Sequence, residues 1–149
     1  MDVSGLLKRL DREWQRLVDS IEGLPDDVTV QPGVVGDWSV KDVMGHITTW
    51  EEETLKALAL MANGERPPRY GDINAFNARE SSHKQGLSLK EIRRQLQETH
   101  HRLRAYVAAV PERLIATDTP FRRRLRMDTY SHYSEHYPQI LSWRRSRGL

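Results

Sequence analysis

The stretch DWSVKDVMGHITTWEE, residues 37–52, decides the fold class. Ser39 and Asp42 are three residues apart and form a capping-box pattern, which predicts the start of a helix. Apolar and small side chains then recur every three or four residues, at Val40, Val43, Ile47, Trp50, Thr54, Leu58 and Met61. The sequence therefore predicts an amphipathic helix from about residue 40 to 63, and its apolar face must be buried against other helices.

Comparable patterns lie on both sides of this helix. The sequence predicts further helices over residues 3–24, 88–110 and 128–147, one or two helical turns within 73–86, and a long connection over 111–127. No strand pattern accompanies them. Four long amphipathic helices predict an all-α, antiparallel four-helix bundle with long connections. A length of 149 residues predicts one domain, spanning residues 1–149.

The composition restricts the possible chemistry. The chain has no cysteine, which excludes disulfides, thiolate metal ligands and a cysteine nucleophile, and leaves histidine and carboxylate as the strong metal ligands. The N-terminus lacks an apolar signal segment, and no window approaches the roughly 18 apolar residues of a membrane span. We therefore expect a soluble protein of the reducing cytoplasm. The net charge of +2 predicts a surface of mixed sign.

The stretch SHYSEHYPQI, residues 131–140, carries two histidines that share one helical face. His132 and His136 are four positions apart, so both can reach one metal ion. His46 of the second predicted helix is the candidate third ligand. Three neutral imidazoles would bind zinc, nickel or another divalent ion and leave coordination positions open. The alternative is a solvated or hydrogen-bonded pair of histidines, and for His100 we expect packing or hydrogen bonding.

Both stretches resemble the DinB-like (YfiT-type) metal-binding four-helix-bundle superfamily. Its members have a Trp-Ser-x-x-(Asp/Glu) pattern with a histidine several residues later, which residues 38–46 match. They also have a His-x-x-x-His pair followed by Gln and an aliphatic residue, which residues 132–140 match. The stretch YGDINAFNARE, residues 70–80, is most similar to the branch that includes the ClbS and DfsB proteins. The resemblance implies that the metal ligands are His46, His132 and His136.

The resemblance also implies an activity. Relatives include thiol-dependent transferases, an isomerase domain and ClbS-like hydrolases that open a cyclopropane, so we expect a divalent-metal-dependent hydrolase or thiol-dependent transferase acting on a small, electrophilic or toxic molecule. Because the chain lacks cysteine, a thiol would be a low-molecular-weight cosubstrate. The alternative is a non-catalytic, dimeric binding or sequestration module with a vestigial or structural metal site. Relatives often pair, so a homodimer is expected.

Individual residues carry further expectations. Glu53 lies seven residues after His46, which returns it to the same side of the helix and makes it the candidate general base. The resemblance makes Asn74 and Asn77 candidate pocket residues. Pro138 stands where many relatives have glycine, and it predicts a kink in the last helix because proline removes a backbone donor.

The basic run FRRRLR, residues 121–126, could contact phosphates. However, the sequence has no nucleic-acid recognition motif and few aromatic residues near this run. We therefore expect a solvated connection or ion pairs with a partner subunit. The sequence predicts a small-molecule substrate and neither a nucleic acid nor a membrane as partner.

Overall fold

The structure is a computed structural model that describes residues 2–149, and it confirms the all-α four-helix bundle. Its elements are α1 (Val3–Ile21), α2 (Asp26–Thr29), α3 (Val40–Ala62), α4 (Ile73–Lys84), α5 (Leu89–Ala108), a 3-10 turn (Glu112–Leu114), α6 (Pro120–Asp128) and α7 (Tyr130–Ser146). Of the helices in this range, none has both the length and the apolar composition needed to cross a membrane.

The capping box at the start of α3 is present as predicted. The Asp42 backbone N–H donates to Ser39 Oγ at 3.1 Å, and the Ser39 N–H donates to Asp42 Oδ2 at 2.9 Å. At the start of α5 only half of the pattern forms. The Glu91 N–H donates to Ser88 Oγ at 3.1 Å, but the Glu91 carboxylate pairs with Arg94 instead of returning to the cap. Both helices therefore begin where the sequence predicts.

The four limbs of the bundle are α1, α3, α5 and the pair α6–α7. Helix α3 packs along α5 and α6, while α1 packs along α7. Buried aliphatic side chains join the limbs, among them Leu10, Leu17, Val43, Ile47, Leu96 and Ile140. Helices α3 and α7 also contact each other, and this contact brings the candidate ligands of the two helices together.

The prediction of a long connection over residues 111–127 is wrong in its second half, where α6 lies. Thr119 caps α6 by accepting the Arg122 N–H at 3.0 Å, and Pro120 occupies the first helical position, where it has no N–H to lose. Phe121 and Leu125 are four residues apart and both are buried. The fourth limb is therefore two helices that meet at Thr129, and α7 starts two residues later than predicted.

Helix α4 is longer than the sequence predicts, and Pro138 lies within α7. Helix α4 has 12 residues where one or two turns were predicted, and Asp72 caps it by accepting the Ala75 N–H at 2.9 Å. Pro138 lies inside α7, yet the helix continues on both sides of it from Tyr130 to Ser146. The Nε2 atoms of His132 and His136 lie 3.0 Å apart, so Pro138 does not turn the two rings away from each other, and the kink itself stays a prediction.

Candidate metal centre

Three histidines meet where α3 contacts α7. His132 Nε2 lies 3.0 Å from His46 Nε2 and 3.0 Å from His136 Nε2. One ring nitrogen from each of the three residues can be chosen so that all lie within 4.8 Å of one another. The structure thus brings together the three residues that the sequence singled out as ligands.

Gln139 fixes the orientation of the His136 ring. His136 Nδ1 lies 2.8 Å from Gln139 Oε1, which is an acceptor, so Nδ1 carries the hydrogen. In a neutral imidazole the other nitrogen then presents its lone pair, and here Nε2 points towards His132. A neighbour that holds Nδ1 in this way is the usual arrangement for a histidine that binds metal through Nε2.

Burial keeps two of the rings neutral. Desolvation, with repulsion from His136 and Lys84, lowers the pKa of His46 to about 3. Desolvation and the two neighbouring histidines lower the pKa of His132 to about 2. Convergent lone pairs on neutral rings form a site suited to a cation. His132 Nδ1 is buried and has no hydrogen-bond partner among residues 2–149, so no residue in this range holds its ring as Gln139 holds the ring of His136.

The triad lies at one side of a cavity of about 460 Å³. Its walls are mainly apolar and aromatic, with charged groups among them: Trp38, Trp50, Tyr70, Ile73, Asn77, Arg124, Met127, Asp128 and Glu135. Cavities of roughly 300–1,000 Å³ with few polar groups are typical of small-molecule sites. Ile73 and Met127 are exposed and apolar, so part of the lining remains open to a ligand.

A partly buried cation forms part of the cavity wall. Arg124 Nε donates to Asp128 Oδ2 at 2.5 Å, and Arg124 Nη2 donates to the Tyr70 hydroxyl at 3.0 Å. Asp128 also accepts the Thr54 hydroxyl at 2.6 Å, which ties α6 to α3. Burial raises the pKa of Tyr70, so its hydroxyl keeps its proton. No local sequence pattern indicates Arg124 and Tyr70 as site residues, because they are 54 residues apart in the chain.

The other predicted site residues fall into two groups. Asn77 lines the cavity and accepts the Trp50 Nε1–H at 2.8 Å, whereas Asn74 is exposed and is absent from the lining. Glu53 is not brought to the triad. Its carboxylate lies 3.1 Å from Lys56 Nζ and 3.3 Å from the Tyr70 hydroxyl, so it reaches the cavity only through Tyr70. Its role as a base stays a prediction.

Two of the arginines in the basic run point into the protein. Arg122 donates to the Ile115 carbonyl at 3.2 Å, and Arg124 joins the network with Asp128. Arg123 and Arg126 are more exposed and lie near Asp118. The expected solvated connection is therefore a helix whose arginines have acidic or carbonyl partners within the chain.

The sequence model of the DinB superfamily matches residues 9–137. No curated protein sequence matches significantly. Among solved structures, an uncharacterised protein from Escherichia coli UTI89 has a TM-score of 0.83 at 16% identity, with 99% of this chain and 95% of that chain covered. DfsB, described as a sibling lethal factor precursor, has a TM-score of 0.84 at 13% identity, with 99% and 97% covered.

A third similar structure corrects one sequence-based expectation. The colibactin self-resistance protein ClbS, solved in complex with double-stranded DNA, has a TM-score of 0.78 at 14% identity, with 93% of each chain covered. A protein of this fold therefore binds duplex DNA, and the exclusion of nucleic acid as a partner is wrong. The lack of a recognition motif does not exclude DNA binding by this scaffold. The family match spans most of the chain and includes the segments that carry all three histidines, so the chain belongs to the DinB superfamily.

Proposed function

We propose that this protein is a divalent-metal-dependent enzyme, either a hydrolase or a thiol-dependent transferase, that acts on a small electrophilic molecule. The observation that supports this proposal is the meeting of three imidazole Nε2 atoms beside a cavity of about 460 Å³. Structural metal sites are usually closed by four protein ligands, whereas three ligands beside a cavity are typical of catalytic sites.

His46, His132 and His136 would hold the metal. Zinc and nickel are the proposed ions because imidazole is a borderline ligand that suits both. A bound divalent ion would supply a Lewis acid that polarises the substrate and acidifies a nucleophile near neutral pH. The neutral state of the rings and the hydrogen bond from His136 Nδ1 to Gln139 support this assignment.

The remaining cavity residues would bind and orient the substrate. Trp38 and Trp50 give an apolar wall that excludes water from the reacting groups. Arg124 is held in place by Asp128 and Tyr70, and its guanidinium can stabilise negative charge that develops on a substrate oxygen. An electrophile with a polarised carbonyl or a strained ring beside an apolar body fits this distribution of groups.

Related proteins narrow the substrate class. ClbS is a self-resistance protein against colibactin, and DfsB is a sibling lethal factor precursor. We therefore propose that the substrate is a reactive or toxic small molecule. Water and an external thiol are the two nucleophiles that fit. We place the protein in the cytoplasm, where low-molecular-weight thiols are kept reduced.

Two carboxylates are proposed to handle the proton of the nucleophile. Glu135 is exposed and lines the cavity directly, while Glu53 acts through the Tyr70 hydroxyl. We expect Glu135→Gln to lower kcat by roughly 10²-fold or more, in the range of general base catalysis, and Glu53→Gln to have a smaller effect. The reverse order would assign the base to Glu53. The pH profile of kcat should lose its acidic limb only in the variant that removes the base.

Metal content is the first test of the proposal. Untagged protein purified without chelator should contain about one zinc or nickel ion per chain by elemental mass spectrometry, as expected for one site. The variants His46→Ala and His132→Ala should lose it, and the matched control His83→Ala, which changes an exposed histidine of α4, should keep it. Wild type that stays metal-free after addition of zinc or nickel and desalting would refute the metal site.

Activity is the second test. The metal-loaded protein should consume epoxide, cyclopropane or maleimide electrophiles, with or without added thiol, and a chelator should abolish turnover. If the protein binds metal but turns over none of these electrophiles, the non-catalytic binding module becomes the better description.

Duplex DNA is the second ligand that we propose to test, because ClbS was solved with double-stranded DNA. Arg123 and Arg126 leave about half of their side chains exposed on α6, the helix that also contributes Arg124 and Met127 to the cavity. Fluorescence anisotropy of a labelled duplex should show binding that weakens steeply as salt is raised. The double variant Arg123→Ala/Arg126→Ala should reduce this salt dependence. If the two substitutions leave DNA binding unchanged, the DNA contacts lie elsewhere on the protein.

A further inference from the structure

A second cavity lies between α1 and α5, away from the histidine triad. Its volume is about 530 Å³, and it shares no lining residue with the triad cavity. Its apolar lining consists of Trp14, Val18, Ile21, Leu24, Met44 and Leu96. Polar side chains, including Arg93 and Arg104, surround it. We call it the α1–α5 groove.

One polar residue of the lining, His100, is buried, and two neighbouring side chains contact its Nδ1 atom. His100 Nδ1 lies 3.1 Å from Glu51 Oε2 and 3.3 Å from the Tyr133 hydroxyl. Trp14 stacks on the His100 ring with centroids 3.5 Å apart and planes 2° apart. The ring therefore has one fixed orientation.

Glu51 is an unusual residue for the core of a bundle. It is 0% exposed, and its Oε1 has no hydrogen-bond partner within residues 2–149. A buried carboxyl group with an unpaired oxygen costs stability that an aliphatic residue at this position would not cost. Buried groups of this kind occur preferentially where they position a functional side chain, and here that side chain is His100.

The environment also determines which hydrogen-bonding group His100 presents. Burial disfavours a net charge on the Glu51–His100 pair, so the pair shares one acidic proton. If that proton is on His100, the ring is an imidazolium and both nitrogens carry hydrogen. If it is on Glu51, it lies on Oε2, because Oε1 has no hydrogen-bond partner within residues 2–149, so the carboxyl group donates to Nδ1 and the ring hydrogen lies on Nε2. Nε2 is therefore a donor in both arrangements.

The donor on Nε2 is available to a ligand. Within residues 2–149, His100 Nε2 makes no hydrogen bond. It is also not among the fully buried polar atoms that lack a partner, so part of its surface is accessible. His100 lines the groove and its Nδ1 is turned towards Glu51, which leaves Nε2 as the ring nitrogen that a ligand in the groove can reach.

We propose that the α1–α5 groove is a second binding site, for a small apolar molecule that carries a neutral hydrogen-bond acceptor such as a carbonyl group. The apolar lining holds the body of the molecule, and His100 Nε2–H donates to the carbonyl oxygen. A neutral acceptor is favoured over a carboxylate because the nearby guanidiniums already have acidic partners. Arg104 pairs with Asp11 at 2.7 Å and Arg93 with Asp26 at 2.9 Å.

An isosteric pair of ligands tests the proposal on the wild-type protein. Acetophenone and α-methylstyrene have the same shape, and only the former has a carbonyl oxygen. In a titration followed by ¹H–¹⁵N NMR, acetophenone should bind about tenfold more tightly and should shift the amide signals of α1 and α5, because only acetophenone has a carbonyl oxygen that accepts the His100 Nε2–H. Equal affinity, or shifts confined to α3, α6 and α7, would overturn the proposal.

Two variants and one further ligand complete the test. Glu51→Met/His100→Leu removes both polar partners together, which avoids an unpaired buried charge, and it should abolish the preference for acetophenone. His132→Ala alters only the triad cavity and should leave the preference unchanged. Benzoate that binds more tightly than acetophenone would overturn the assignment of a neutral acceptor. A preference that survives in the double variant would overturn the role of His100.

Discussion

In both the triad and the Glu51–His100 pair a neighbouring side chain holds a ring Nδ1, and the two clusters differ in what surrounds the Nε2 atom. In the triad, Gln139 holds His136 Nδ1 and the Nε2 atoms point towards one another. In the pair, a buried carboxyl group holds His100 Nδ1 and Nε2 is left alone at the edge of a groove. Convergent lone pairs suit a cation, and a lone N–H suits an acceptor. The surroundings of a histidine therefore indicate its chemistry better than its spacing does.

The largest expected effect is on the Glu51–His100 pair. His100→Leu leaves the Glu51 carboxyl group buried without its main partner, so the free energy of unfolding should fall by about 3–5 kcal/mol. Equilibrium unfolding in urea measures this change. The variant His101→Leu changes the neighbouring exposed histidine and should change stability by less than about 0.5 kcal/mol.

The double variant sharpens this result. Glu51→Met/His100→Leu replaces both polar groups with apolar ones, and it should recover most of the lost stability. A His100→Leu variant as stable as wild type would show that the pair does not interact as the structure indicates. In that case Glu51 would not hold the His100 ring, and the proposed difference between the two histidine clusters would be unsupported.

The pair also shows what the sequence could and could not predict. Ile47, Glu51 and Leu58 lie on one helical stripe of α3, and the stripe is buried. The helical period of the apolar residues could be read from the sequence. However, three consecutive glutamates at 51–53 made it hard to identify the one that faces inwards. His100 as its partner could not be predicted, because the two residues are 49 positions apart and meet only through packing of α3 on α5.

The triad was easier to predict than the wall of its cavity. The His132–His136 spacing is local to one helix, His46 was the candidate third ligand on the second predicted helix, and resemblance to a known family implied the same three residues. The contacts of Arg124 with Tyr70 and of Asp128 with Thr54 join distant segments, which no local pattern encodes. Helix α6 itself could have been predicted from Thr119-Pro120 and from the spacing of Phe121 and Leu125, but the arginine run masked this apolar period.

The second prediction concerns the triad in acid. The pKa values of His46 and His132 in the folded protein are about 3 and about 2, below the ordinary 6.5, so unfolding takes up protons at each site. Their contribution to stability is complete above pH 6.5 and is lost as the pH falls towards 3. For one such histidine the loss between pH 6.5 and 4 is about 3 kcal/mol.

Urea unfolding of the metal-free protein from pH 7.5 to 4 measures this loss. His132→Phe should reduce the acid-dependent loss of stability by about 3 kcal/mol, because the ring that must stay neutral is gone. Glu51 has the opposite effect on the pH dependence of stability. Burial raises its pKa, so its contribution to the free energy of unfolding is lost as the pH rises. Parallel pH curves for wild type and His132→Phe would refute the prediction.

The third prediction concerns the residue that orients the triad. Gln139→Leu removes the acceptor of the His136 Nδ1–H, so the affinity for zinc should fall by roughly 10–100-fold. Competition with a chromophoric chelator measures this affinity. Gln139→Glu keeps an acceptor oxygen and should bind zinc at least as tightly as wild type. Equal affinities in all three proteins would mean that the tautomer of His136 is fixed by something other than Gln139.

The smallest expected effect tests whether the triad cavity and the α1–α5 groove unfold independently of each other. Thr119→Ala removes the cap of α6, which should cost about 1 kcal/mol. Because α6 carries Arg124 and Asp128, hydrogen exchange should accelerate in α6 and beside the triad cavity, while α1 and α5 around the groove keep their protection. Thr117→Ala changes an exposed threonine two residues earlier and is the matched control. If protection also falls around the groove, the two histidine clusters share one cooperative unit, and a ligand at one of them would stabilise the other.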